Sequence, residues 1–298
     1  SGAEGVETAI KIARKWGHTV KKIEPEKAEI ITFAGNFHGR TVTIISFSTE
    51  QQYKEHFGPL TPGFVTVPYG DLAAIEKAIN PRTAAIMVEP IQGEAGIVVP
   101  PEGYLKGISE ICKKNGVLFI ADEIQTGLCR TGKLLACDHE NVKADMIILG
   151  KALGGGCYPV SAVLSSREIM SVIKPGDHGS TFGGNPLAMA IAREALKVLK
   201  EEKLAENAAE MGTYFMDKLK TIKSKHIELI RGKGLLIGMV LKKEAGGARR
   251  FCEELKNNGV LSKETHEDII RFAPPLIIKK EDIDWAYERI EKVMTTLQ

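Results

Sequence analysis

The amino-acid sequence predicts an α/β protein with two domains: a large one on a mostly parallel sheet between helices (residues 1–191), and a smaller α+β one (192–298). Three observations predict it. Short runs such as 84–88, 117–121 and 146–149 are apolar throughout, and a strand with no polar side needs cover on both faces. Helix-period segments separate those runs, as crossover connections between parallel strands require. From Pro186 onward the texture changes, with a long helical stretch first and few strands after it.

The elements follow in order. Residues 1–17 read as a helix: Ser1 and Glu4 stand at capping-box spacing, Val6, Ala9, Ile10, Ala13 and Trp16 share a face, and Gly17 can end it. Residues 29–34 and 64–68 are strand-like, 71–79 helical, and 84–89 an apolar run closing on an acid. A helix over 103–115 stops at Gly116. Residues 117–121 form a buried strand ending at Asp122, 146–149 another ending just before Lys151, and 160–164 a further candidate. One helical stretch is then expected from Pro186 to about Lys220, with the domain boundary inside it near Ile191. A strand over 235–241, a helix over 248–258, short strands near Leu261 and Ile270 and a last helix over 281–297 complete the chain.

Composition excludes several classes. Lys and Arg number 40 against 38 Asp and Glu, a formal charge of +2 over 298 residues. That balance leaves no electrostatic footprint for nucleic acid. Cys112, Cys129, Cys137, Cys157 and Cys252 form no C-x-x-C pair, and their odd number argues against a full disulfide framework, so a reducing, cytoplasmic setting is expected. No apolar stretch approaches the roughly 20 residues of a membrane helix. The histidines show no metal-ligand spacing, so no metal is expected.

Chemistry is expected beyond the carboxyl ends of the strands. Glu89-Pro90-Ile91-Gln92-Gly93-Glu94, Asp122-Glu123-Ile124-Gln125 and Gly150-Lys151 all fall at such ends. A lysine and a carboxylate facing one crevice suit pyridoxal 5'-phosphate: its aldehyde needs an amine, and its pyridine nitrogen needs an acid to stay protonated. For the phosphate, Gly2-Ala3 at a helix start offers backbone N–H groups and the positive end of the dipole. Ser180 and Thr181 offer hydroxyls on a glycine-flexible loop. Each feature alone has an ordinary explanation: a lysine after a strand is usually solvated, and an acid there usually caps the next helix. Two glycine patterns are set aside. Residues 127–133 match G-x-x-x-x-G-K, but Leu134 follows where magnesium needs a hydroxyl. Gly232-Lys233-Gly234 reads as a turn, because Gly238 breaks the G-x-G-x-x-G spacing.

Taken together, Ser1-Gly2-Ala3-Glu4, Asn36-Phe37-His38-Gly39-Arg40-Thr41, Glu89 to Gly96, Ala121 to Gly127 and Gly150-Lys151-Ala152-Leu153 resemble the class-III aminotransferases along essentially the whole chain. Phe57-Gly58-Pro59, residues 68–72, 178–186, 231–235 and 263–276 are similar to the branch of that family whose amino donor is ornithine. Members using acetylornithine or 4-aminobutyrate share the core motifs and match these flanks less closely.

The resemblance implies the type-I pyridoxal-phosphate fold, a homodimer or larger assembly, and the small-molecule substrates ornithine and 2-oxoglutarate. It implies that Lys151 binds the cofactor aldehyde and then moves the proton, that Asp122 pairs with the ring nitrogen, and that Gln125 bonds the ring hydroxyl side. Phe37, with His38 beside it, stacks on the ring; Gly2 and Ala3 hold the phosphate, with Thr181 and Ser180 reaching in from a second subunit. Arg40 is the candidate for the α-carboxylate of ornithine. Arg271 would bind the second carboxylate of 2-oxoglutarate, masked by Glu94 during the first half-reaction. The family also carries an N-terminal segment to which nothing here corresponds, so the natural start is expected upstream of Ser1. A chain lacking that segment that folds without turning over is the alternative.

Overall fold

Along the strand that ends at Asp122, side chains alternate between two separate hydrophobic clusters. Leu118 and Ile120 pack with Val6, Ala9, Ile10 and Ala13, whereas Phe119 and Ala121 pack with Tyr104, Leu105, Ile108 and Ile111. Such a strand must lie inside a covered sheet, and each fully buried Leu, Ile or Phe stabilises it by roughly 1.5–3 kcal/mol. The computed structural model describes residues 1–297 and divides into two compact units. The first comprises Ser1–Pro90, Pro100–Gln125 and Cys137–Val198; the second takes Ile91–Val99, Thr126–Ala136 and the chain from Leu199 on.

In the first unit the order is α1 (Gly2–Thr19), β1 (Glu29–Phe33), α2 (Val42–Ile45), α3 (Gln51–Lys54), β2 (Phe64–Val67), α4 (Leu72–Ala78), β3 (Thr83–Val88), α5 (Tyr104–Asn115), β4 (Leu118–Asp122), β5 (Met146–Leu149), β6 (Ala162–Ser165), α6 (Arg167–Met170) and most of α7 (Pro186–Glu201). The sheet runs β2-β1-β3-β4-β5-β6. Its first five strands are parallel, and β6 is antiparallel to β5. One cluster joins α1 to one face, and the other joins α4 and α5 to the opposite face. Asp71 caps α4 by accepting from the Ala74 N–H at 2.9 Å, and Gly116 ends α5 at φ +57°, the left-handed conformation a glycine adopts at low cost.

The second unit holds α8 (Leu204–Thr221), β7 (Ile227–Lys233), β8 (Leu236–Leu241), α9 (Arg249–Asn257), β9 (Lys263–Thr265), β10 (Ile269–Phe272) and α10 (Lys280–Thr296). Its sheet, β7-β8-β10-β9, is antiparallel throughout. Phe215, Leu219, Met239, Phe251, Leu255, Ile283 and Ile290 are among its core.

Two expectations need correcting, and one strand was not expected. Gly17 does not stop α1, which continues to Thr19; a Cβ on Gly17 would lie 2.9 Å from the Ala84 Cβ, so the glycine permits close packing on β3. The stretch after Pro186 is two helices, broken where Lys203 turns left-handed at φ +52°. β7 is a strand that the sequence did not announce. Among the described residues, no helix is long and apolar enough to cross a membrane.

Candidate active site

The predicted lysine and carboxylate emerge from neighbouring parallel strands. Asp122 closes β4 and stands in register with Ile148 of β5, three residues before Lys151. Lys151 is exposed and left-handed at φ +42°. That conformation costs a non-glycine residue roughly 1–2 kcal/mol, and strain of this kind concentrates at functional sites. The backbone packs tightly around it: a Cβ on Gly150 would lie 3.3 Å from the Ile124 side chain and 3.5 Å from the Gly2 Cα. The start of α1, the turn after β4 and the end of β5 therefore meet.

Asp122 is buried, and its carboxylate is held at both oxygens. Oδ2 lies 2.6 Å from Nδ1 of His38, and Oδ1 accepts the Ile124 N–H at 3.0 Å. Burial opposes charging of His38, but the hydrogen bond and charge of Asp122, with the charge of Glu89, outweigh it and raise the imidazole above its ordinary pKa. The acceptor carboxylate places a proton on Nδ1. His38 Nε2 is buried and meets no hydrogen-bond partner among the described residues. Next to it, the Phe37 N–H donates to Glu89 Oε2 at 2.9 Å, and the Tyr69 hydroxyl donates to the Glu89 carbonyl at 3.0 Å. The Phe37–His38 turn is thereby tied to the ends of both β3 and β4.

At the start of α1, the Glu4 carboxylate accepts from the Ser1 nitrogen at 2.6 Å. The N–H groups of Gly2 and Ala3 meet no acceptor among the described residues. Gly2 could not carry a side chain freely, since its Cβ would meet Ile124 Cδ1 at 3.0 Å. Two open N–H groups in the first turn of α1 fit an anionic group. Gln125, partly buried, follows in the turn after β4.

Ser180 and Thr181 are exposed, on a loop fastened to the side of α1. Thr8 Oγ1 lies 3.1 Å from His178 Nε2, and Lys11 Nζ donates to His178 Nδ1 at 3.0 Å. Asp177 pairs with Lys15 and accepts the Lys174 N–H at 2.6 Å. The Ser180 hydroxyl accepts the Gly183 N–H at 3.0 Å.

Arg40 is exposed, with its guanidinium 3.6 Å from the Tyr53 ring centroid and 5.4 Å from that of Phe37. Stacking covers the faces of a guanidinium and leaves its N–H edges for an acceptor. No carboxylate among the described residues pairs with it. In the second unit, Arg271 Nη1 and Glu94 Oε1 are 2.6 Å apart, and Lys263 Nζ lies 3.3 Å from Glu94 Oε2.

Several residues of the structure carry no motif in the sequence. Tyr53 supports Arg40, and no motif marks it. Arg130 donates to the carbonyls of Leu235 (3.0 Å) and Pro274 (2.7 Å), and burial pushes its pKa down to about 10. It explains the glycine patterns set aside above. A Cβ on Gly234 would lie 2.4 Å from the Thr131 carbonyl carbon, so each glycine-rich stretch packs on the other. No helix begins at Lys133, as a phosphate-binding loop would require.

A fold of this kind, with a lysine and a buried acid at adjacent strand ends, belongs to a defined class. The model of the aminotransferase class-III family matches residues 1–294, and the chain is a member of that family. An ornithine aminotransferase from Brevibacillus brevis is 58% identical over 99% of this chain and 73% of its own length. The crystal structure of the ornithine aminotransferase from Toxoplasma gondii superposes with a TM-score of 0.97 at 49% identity, covering 99% of this chain and 71% of that one. An acetylornithine aminotransferase from Elizabethkingia anophelis is 52% identical with a TM-score of 0.88, covering 99% and 73% respectively.

Proposed function

We propose that this chain transfers the δ-amino group of ornithine to 2-oxoglutarate, giving glutamate 5-semialdehyde and glutamate, with pyridoxal 5'-phosphate as cofactor. The observation that carries the reading is Lys151 and the doubly held Asp122 at neighbouring strand ends, beside the open N–H groups of Gly2 and Ala3. A buried acid, an amine and an anion-binding helix start are the three things this cofactor needs.

Bound there, pyridoxal phosphate supplies an electron-withdrawing ring that takes up the electron pair released when a C–H bond beside the amine breaks. Lys151 would hold the cofactor through its aldehyde, and its amine would move the proton at the reacting substrate carbon. Asp122 holds the proton on the ring nitrogen, and His38 holds Asp122. Gln125 bonds the ring hydroxyl side, Phe37 stacks on the ring, and Gly2 and Ala3 receive the phosphate.

Thr181 and Ser180 complete the phosphate site of a second subunit in a homodimer. The same loop carries Phe182, 77% exposed, and Leu187 follows at 59%, apolar surface of the kind a partner covers. Arg40 takes the α-carboxylate of ornithine, so that the δ-amine is the end presented for reaction. Glu94 masks Arg271 while ornithine reacts and releases it for the second carboxylate of 2-oxoglutarate. A reducing, cytoplasmic compartment suits the five free thiols.

Single-turnover rates with ornithine, acetylornithine and 4-aminobutyrate test the donor. The identity to an acetylornithine aminotransferase makes acetylornithine the competing reading, and a preference for it would overturn this one. Borohydride reduction and mass spectrometry test the cofactor: a pyridoxyl group is expected on Lys151, and its absence there would reject the assignment.

A further inference from the structure

One rung of the antiparallel sheet in the second unit gathers three cations. Arg231 of β7 stands opposite Gly238 of β8, Gly238 opposite Arg271 of β10, and Arg271 opposite Lys263 of β9. Residues directly opposite one another project from the same face, so the three charged side chains form a row with a gap at the glycine. Backbone fills the gap. A Cβ on Gly238 would lie 3.2 Å from the Gly96 carbonyl oxygen and 3.1 Å from the Ile97 Cβ. The segment above the rung is closed on itself by Gln92 and Val98, whose N–H and C=O groups exchange bonds of 3.1 and 2.9 Å.

Two of the cations meet the Glu94 carboxylate: Arg271 at 2.6 Å and Lys263 at 3.3 Å. The third does something else. Arg231 donates from Nε (3.1 Å) and Nη2 (2.8 Å) to a single acceptor, the Gly96 carbonyl. Gly96 itself sits at φ +99°, and a Cβ there would meet Ile269 Cδ1 at 2.1 Å. A partly buried guanidinium thus fixes, through two charged donors, a backbone bend that only glycine fits, two residues beyond Glu94.

We infer that Arg231 is a positioning residue for Glu94: its grip on the Gly96 carbonyl fixes the backbone, so that Glu94 pairs with or leaves Arg271 by side-chain rotation alone. The inference rests on the masking role proposed for Glu94. Its physical content is local concentration. A carboxylate on a fixed backbone is held within reach of Arg271, whereas one on a loosened segment spends more time away from it. Loosening the segment should therefore expose Arg271 to any dicarboxylate.

The test is equilibrium binding of glutarate, a five-carbon dicarboxylate, to the cofactor-loaded enzyme by calorimetry. Glu94→Ala should tighten glutarate about tenfold, the order of one charged hydrogen bond. Arg231→Gln should tighten it by a smaller factor, about threefold, and the double variant should match Glu94→Ala alone. Gly238→Ala, which presses on the Gly96 carbonyl from the sheet side, should act in the same direction without altering any charge. Arg231→Lys, if Arg231→Gln fails to fold, keeps the charge but loses the fork and should fall between wild type and the loosened variants. Should Glu94→Ala leave glutarate binding unchanged, the masking role itself fails and this inference falls with it. Should Glu94→Ala tighten binding while the Arg231 and Gly238 variants do not, or should their effects add to it in full, the masking role stands and the positioning role is overturned.

Discussion

Replacing Asp122 by Asn separates the chemistry of the carboxylate from its place in the fold. The change preserves shape. Asn can still accept the Ile124 N–H, now 3.0 Å from Oδ1, and its amide can donate to a neutral imidazole across the present 2.6 Å contact. What disappears is the charge. A hydrogen bond to a charged group contributes roughly 1.5–3 kcal/mol and a neutral one roughly 0.5–1.5, so the expected loss of stability is about 1–2 kcal/mol. Its pH dependence has a definite sign. His38 is raised above its ordinary value, so its stabilising contribution is fully present below about pH 6.5 and fades as pH rises through the raised value. In the variant, burial acts on His38 without Asp122 to oppose it, and that contribution is lost. Urea unfolding of the cofactor-free protein at about pH 6, 7.5 and 9 should show the widest gap between wild type and variant at the lowest pH. Transamination should meanwhile fall by a factor on the order of 10²–10³ or more, the scale of losing a preorganised charge in an active site. A gap that is flat or widens with pH would refute the His38–Asp122 argument. Activity within a few fold of wild type would refute the role given to the carboxylate.

Other perturbations probe separate parts of the same reasoning. Lys151→Ala should abolish both half-reactions, with stability changed by no more than about 1 kcal/mol, because the side chain is exposed and alanine inherits the left-handed backbone; single-turnover assays and thermal unfolding check this, and residual turnover would remove the lysine from the mechanism. Arg40→Lys keeps the charge and loses the fork stacked on Tyr53, so kcat/KM for ornithine should drop about tenfold or more; unchanged saturation would count against a carboxylate contact. Arg130→Met leaves the Leu235 and Pro274 carbonyls without their donor, and a stability loss of about 1–3 kcal/mol is expected in urea unfolding. A neutral result there would mean that solvent satisfies both carbonyls.

What could be read from the sequence depended on whether a residue's partner leaves a local trace. β3, β4 and β5 were legible because strands buried on both faces must be apolar throughout, and residues 84–88, 118–121 and 146–149 are. Asp122 and Lys151 were legible for the same reason: a polar residue closing such a run stands out, and a parallel sheet delivers neighbouring strand ends to one edge. β7 carries Glu228 and Arg231 in a partly exposed edge strand, so neither continuous burial nor clean alternation marks it. The break at Lys203 has no glycine or proline to announce it, and Gly17, which does look like a stop, is there for contact with β3. The least legible residues were those whose partners are main-chain carbonyls far along the chain. Arg130 reaches Leu235 and Pro274, and Arg231 reaches Gly96. Every residue offers a carbonyl, so such a contact demands no complementary side chain and imposes no spacing. An ion pair such as Glu94–Arg271 at least requires two charges of opposite sign. The residues proposed to touch substrate stand in motifs, while arginines that grip a distant backbone appear only when that backbone is seen. In this chain Arg130 and Arg231 are accordingly worth testing beside the charged residues that line the motifs.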